Sequence, residues 1–110
     1  MSKMLLKGYR VVDASRILVG AFSSLMLADQ GAEVIKVEIP GKGDETRKWG
    51  PPFKGADSTY FLSVNRNKKS LTLDLKHPEG KQVLYDLVAK SDIFMENLIP
   101  PKTTELGIDY

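Results

Sequence analysis

The chain has 110 residues, 27% charged and 42% hydrophobic, with a formal net charge of +2, enough for one modest domain over residues 1–110. A charge this weak and dispersed gives no electrostatic case for nucleic acid, and there is no run of about eighteen apolar residues to suggest a membrane span. There is no cysteine, which excludes a disulfide scaffold and any thiolate nucleophile or metal ligand.

The opening, Met1–Lys7, is too short for a secretory signal and lacks the Arg- and Ser-rich lead of a transit peptide. An intracellular, cytoplasmic protein is therefore expected, with mitochondria as the alternative. Tyr9-Arg10-Val11-Val12 reads as a strand that runs into a polar loop, Asp13-Ala14-Ser15-Arg16. From Ile17 to Gln30, Leu18, Phe22, Leu25 and Met26 return at helical spacing and predict a buried stripe. Gly31 is placed to end that helix in the left-handed conformation that glycine adopts without strain. Glu33–Glu38 is the second strand, completing a βαβ unit with parallel strands. Ligands of such sheets bind beyond the carboxyl ends of the strands, so the loop from Asp13 to Gly20 is the expected start of a site.

Ile39–Asp57 is rich in Gly and Pro and has no period, as in a long loop. Trp49 and Phe53 within it are expected to pin the loop to the core, with a ligand-covering role as the alternative. Asp57-Ser58-Thr59 reads as a helix N-cap, with the helix running to about Asn65 and a strand as the alternative. Arg66-Asn67-Lys68-Lys69 reads as a polar turn, either solvated or contacting an anion. Ser70–Leu75 alternates strictly and predicts a strand with Leu71, Leu73 and Leu75 on one face. His77-Pro78 opens a helix with an apolar face of Val83, Leu84, Leu87 and Val88. Ile93-Phe94-Met95 is a short buried strand that closes a second βαβ unit. Lys102–Leu106 can form one helical turn stopped by Gly107. The succession predicts an α/β fold, a Rossmann-like parallel sheet of βαβ units forming the first part of a longer domain, with a small complete domain as the alternative.

No catalytic set is complete. The turn after the first strand lacks the glycines of a dinucleotide fingerprint. Gly41-Lys42-Gly43-Asp44 is not a phosphate-binding Walker loop. His77, the only histidine, sits at a helix entrance where a structural role is expected. No cluster has metal-ligand spacing.

Four blocks carry a resemblance, in order along the chain. Val11-Val12-Asp13, then Gly20 and Leu27–Glu38, resemble the opening of the class III CoA-transferases, the CaiB/BaiF family. Pro40–Arg47, Ser63–Leu71 and Asp92–Asn97 are similar to that family's next three blocks, and Thr59–Leu62 with the third block is most similar to its succinyl-CoA:glutarate branch.

The resemblance implies transfer of CoA from an acyl-CoA to a carboxylic acid through a catalytic aspartate. No residue here matches that aspartate, so no catalytic residue is assigned and the chain alone is expected to be inactive. It also implies coenzyme A or acyl-CoA as substrate, no metal, and an interlocked homodimer as the family's assembly. By position it assigns Arg16, Ile17, Leu18, Leu73, Asn97 and Leu98 to the CoA cleft. Arg47 and Arg66 are assigned on charge grounds as phosphate or acid contacts. Four positions depart from the pattern: Ala21 for proline, Ile39 for an arginine, Pro101 for glycine and Glu105 for a basic residue. The competing expectation is a truncated, non-catalytic α/β domain that acts as an interaction module.

Overall fold

A computed structural model describes residues 4–109; Met1–Lys3, part of the opening read above, and Tyr110 lie outside the described residues. Strand β1 (Arg10–Asp13), helix α1 (Val19–Asp29) and strand β2 (Glu33–Glu38) form the expected βαβ unit. A 3₁₀ turn (Glu45–Lys48) and a small hairpin, β3 (Phe53–Lys54) and β4 (Asp57–Ser58), follow. Helix α2 (Thr59–Asn65), strand β5 (Lys68–Thr72), helix α3 (Pro78–Ala89), strand β6 (Ile93–Met95) and helix α4 (Pro100–Leu106) complete the chain. No described helix is long and apolar enough to cross a membrane.

The four long-range strands are parallel and lie in the order β5-β2-β1-β6. Strands β5, β2 and β1 make one half of a doubly wound sheet and β6 begins the other, so strand order reverses between β1 and β6. The second unit therefore differs from a simple βαβ repeat: β5 and β6 are parallel but stand at opposite edges, and α3 bridges them across β2 and β1.

Alternation along β1 sends side chains to two cores. Val12 packs with Val37, Leu84 of α3, Leu106 of α4 and Ile108 on one face. Val11 packs with Val34, Ala28 of α1 and Ala32 on the other. Local chemistry sets the helix ends. Ser58 Oγ accepts the Phe61 N–H at 3.1 Å, and His77 Nδ1 accepts the Glu79 N–H at 3.2 Å, which gives the histidine the structural role expected of it. Gly31 follows α1 with φ of 101° and Gly107 ends α4 with φ of 72°. Pro100 and Pro101 open α4 at positions where no N–H is needed.

Several expectations shift. Strand β6 is not buried: Ile93 is exposed and Phe94 and Met95 are only partly covered, and on α3 Val83 is exposed while Leu84 is buried. The stripe on α1 points outward: Leu18, Phe22 and Met26 are exposed, while Gly20, Ala21, Ser24, Leu25 and Ala28 face the sheet. At Gly20 no side chain fits, because a Cβ there would overlap the Ser15 side chain in the loop after β1. Trp49 and Phe53 are about half exposed, at 47% and 51%, rather than sunk in the core. Trp49 instead leans on Tyr60 of α2, with ring centroids 5.4 Å apart. Strand β5 runs from Lys68 to Thr72 instead of Ser70 to Leu75: it begins early because Lys68 and Lys69 already pair with Val34 and Ile35, and it ends at Thr72, which leaves Leu73 and Leu75 beyond the strand. The polar turn contracts to Arg66-Asn67, with Asn67 at φ of 63°.

Candidate functional site

The loops that leave the carboxyl ends of β1, β2 and β5 enclose, with the start of α4, a cleft of about 390 Å³. Ser15 and Arg16 form one wall, Ile39, Lys42 and Asp44 the second, Leu73 and Lys76 the third, and Leu98 and Lys102 the last. Apolar and basic side chains come together there: Leu73, Leu75, Leu98 and Leu106 line the cleft with Arg16, Lys42, Lys76 and Lys102, and the acids Glu38, Asp44 and Asp74 line it as well. Lys42 and Lys76 have no carboxylate within ion-pair distance among the described residues, whereas Lys102 reaches Glu105 at 3.5 Å and Arg16 reaches Glu45 only at 3.9 Å. Such a surface suits a ligand with an anionic part and an apolar part.

The wall after β1 is held rigidly. Asn97, just past β6, accepts the Arg16 N–H at 2.9 Å and donates its amide to the Arg16 carbonyl at 2.8 Å. This clamp spans the point where strand order reverses. Ile17 follows with φ of 68°, an unusual conformation for a β-branched residue. Its N–H points to Asp44 Oδ2 at 3.4 Å.

Beneath the cleft lies a buried polar layer. Lys36 Nζ is 2.8 Å from Asp44, with both side chains at most 2% exposed. Lys68 Nζ is 3.8 Å from Asp13 and donates to the Ala21 carbonyl at 2.8 Å and to Asn65 at 3.0 Å. Asp13 accepts the Ser15 N–H at 2.8 Å and the hydroxyls of Ser15 and Ser24. Burial pushes the Asp44 carboxyl up, but hydrogen bonds from Lys36 and Thr46 outweigh it and leave its pKa below the ordinary value. For Lys68 burial dominates: the loss of water lowers its pKa to about 8, against the opposing pull of Asp13. An unfolded lysine keeps its proton up to about 10.5. Between those values the unfolded chain binds more protons, so raising the pH favours folding. The difference in urea midpoint between the native chain and Lys68→Met is expected to move in the native chain's favour as pH rises from about 8 to 10.5.

The residues assigned from sequence are placed unequally. Arg16, Leu73 and Leu98 line the cleft, and Asn97 clamps its wall. Ile17 lies half-buried behind that wall. Leu18 is exposed at the start of α1 and does not line the cleft. Arg47 forks onto Glu38 at 3.0 and 2.8 Å, reaches Asp57 at 3.1 Å and covers the Phe61 ring at 3.9 Å. Arg66 pairs with Asp29 at 2.7 Å, at the far end of α1 from the cleft. Sequence reasoning passed over Lys36, Lys42, Lys76 and Lys102. Two signals were present: a lysine inside the apolar run Val34-Ile35-Lys36-Val37, and lysines just after the ends of β2 and β5.

Fold and cleft together define an α/β protein of the Rossmann kind, with a cleft beyond the strand ends. The chain belongs to CoA-transferase family III, whose model matches residues 6–110. It is 53% identical over 105 residues to the succinyl-CoA:glutarate CoA-transferase of Mus musculus, covering 96% of this chain and 24% of that protein. It is 44% identical over 111 residues to the succinate–glutarate CoA-transferase of Agrobacterium fabrum, covering 96% of this chain and 28% of that one. A crystal structure of a CaiB/BaiF family protein from Brucella suis superposes with a TM-score of 0.92 at 41% identity, over 99% of this chain and 30% of that chain. The chain thus spans about a quarter of the length of the curated relatives it matches.

Proposed function

We propose that the cleft is part of the coenzyme A site of a class III CoA-transferase, which moves CoA between an acyl-CoA and a carboxylic acid. Succinyl-CoA and a dicarboxylate such as glutarate are the proposed substrates, from the relatives' names and their identity to this chain. The carrying observation is the join of Arg16, Lys42 and Lys76 with apolar side chains at the strand ends. The cations suit the phosphates of the coenzyme and the leucines suit its less polar parts. Lys42 supplies, from the same loop, the charge that Ile39 does not. The catalytic aspartate and the interlocked homodimer belong to this proposal as features of a whole transferase, and the chain alone is expected to show no transfer.

Isothermal titration with CoA tests the reading. Heat of binding at up to millimolar ligand is the expected result, and its absence would overturn retained binding. Lys42→Ala with Lys76→Ala is expected to weaken that binding about tenfold, or ~1.4 kcal/mol, with the loss shrinking at high salt.

One observation favours a second reading, the interaction module. Leu18, Val19, Phe22 and Met26 form an exposed apolar stripe along α1, the kind of patch that marks a contact surface. Light scattering after size exclusion, with and without a full-length relative, decides it: a monomer that ignores the relative removes this reading.

A further inference from the structure

Every backbone polar group from the Ser15 N–H to the Ile17 N–H is taken by a side chain. Asp13 accepts the Ser15 N–H at 2.8 Å, and Lys36 Nζ donates to the Ser15 carbonyl at 3.3 Å. Asn97 holds both backbone groups of Arg16, and Asp44 faces the Ile17 N–H. Lys36 and Asp44 therefore act on this segment as a joined pair. Lys36 stands in β2, Asp44 opens the 3₁₀ turn, and the second Asp44 oxygen takes the Thr46 N–H at 2.9 Å and its hydroxyl at 2.8 Å. The pair thus ties the wall after β1 to the wall after β2.

Two features show that more than packing is at work. A buried ion pair is often no more stabilising than apolar residues of the same volume. Here Lys36 lies between Ile35 and Val37 in the strand, yet a charge occupies the position at 2% exposure. An apolar pair could hold neither the Ser15 carbonyl nor the Ile17 N–H. In addition, Ile17 occupies the left-handed region at φ of 68°, a conformation that persists only where surroundings impose it.

We propose that Lys36 and Asp44 are positioning residues of the cleft. They hold the Ser15–Ile17 backbone and the loop 39–44 in one fixed arrangement, and so set ligand affinity while their charges face each other rather than the ligand. The affinity half of this proposal rests on the coenzyme A reading; the loop-holding half does not.

The test uses the full chain as Lys36→Met and as Asp44→Asn, which keeps an oxygen for Thr46 and loses the charge. Amide hydrogen exchange is followed in residues 14–19 and 39–46, with helix α3 as the internal reference, beside CoA titration. Exchange at least tenfold faster in both cleft segments, with α3 unchanged, and CoA affinity at least tenfold weaker are the expected results. Unchanged exchange in the cleft segments overturns the proposal, and so does an equal rise in α3, which reports general loosening. Loss of the fold in both variants makes the pair a stability element and also overturns it. A native chain that takes up no CoA, combined with the local rise in exchange, removes the coenzyme A reading and supports the positioning role.

Discussion

Asp13→Ala is expected to destabilise the chain by about 3–5 kcal/mol, the cost of stranding one partner of a buried ionic cluster. A small domain has only about 5–15 kcal/mol in total, so the variant should be substantially unfolded at elevated temperature. The reason lies in what Asp13 serves. Its side chain is fully buried at the end of β1, and it accepts from the Ser15 backbone, the Ser15 hydroxyl and the Ser24 hydroxyl of α1. It is also the carboxylate nearest to Lys68, which is itself 2% exposed. Alanine leaves two hydroxyls and an ammonium without that acceptor. Asp13→Asn keeps the shape and one acceptor oxygen but removes the charge, and should cost less. Urea unfolding of the three proteins at neutral pH checks the order. A second readout separates charge from packing: without the opposing pull of Asp13, burial should lower the Lys68 pKa further below about 8. A variant whose stability matches the native chain would mean that Ser24 and Lys68 find other partners.

The expectation for Val11-Val12-Asp13 shows how far the residues alone could be read. The β-branched pair, the polar turn and the glycine after a helical stretch name a βαβ unit, because each element obeys a local rule. The strand-end rule places the expected site beyond the carboxyl ends of the strands, and Arg16, Leu73 and Leu98 line one cleft there. The orientation of α1 was not legible. Periodicity finds a stripe but cannot say that a buried carboxylate needs the Ser24 hydroxyl, and this need turns the large apolar residues outward. Strand order was equally hidden: nothing local to β5 or β6 reveals that they stand at opposite edges. Arg47 illustrates a third limit. Its charge suggests a ligand contact, yet Glu38 and Asp57, nine and ten residues away in sequence, already hold its guanidinium.

That engagement makes Arg47→Met the second large effect, with an expected loss of about 3 kcal/mol. Glu38 ends β2 with its side chain 3% exposed, and both of its oxygens accept from Arg47, at 2.8 and 3.0 Å. The guanidinium also reaches Asp57 at the start of β4 and covers Phe61 of α2. One side chain therefore joins the sheet, the hairpin and the helix, and its removal leaves a carboxylate buried and unpaired. Arg47→Lys should recover only part of the loss, since an ammonium cannot make the two-pronged contact or spread over the ring. The pairing makes a sharper demand. If the loss comes from a stranded Glu38, then Glu38→Met with Arg47→Met should be more stable than Arg47→Met alone, because both buried charges are gone. Urea midpoints of the two single variants and the double variant measure that coupling. A double variant that loses the sum of the single losses would show that Arg47 acts through Asp57 and Phe61, and not through Glu38.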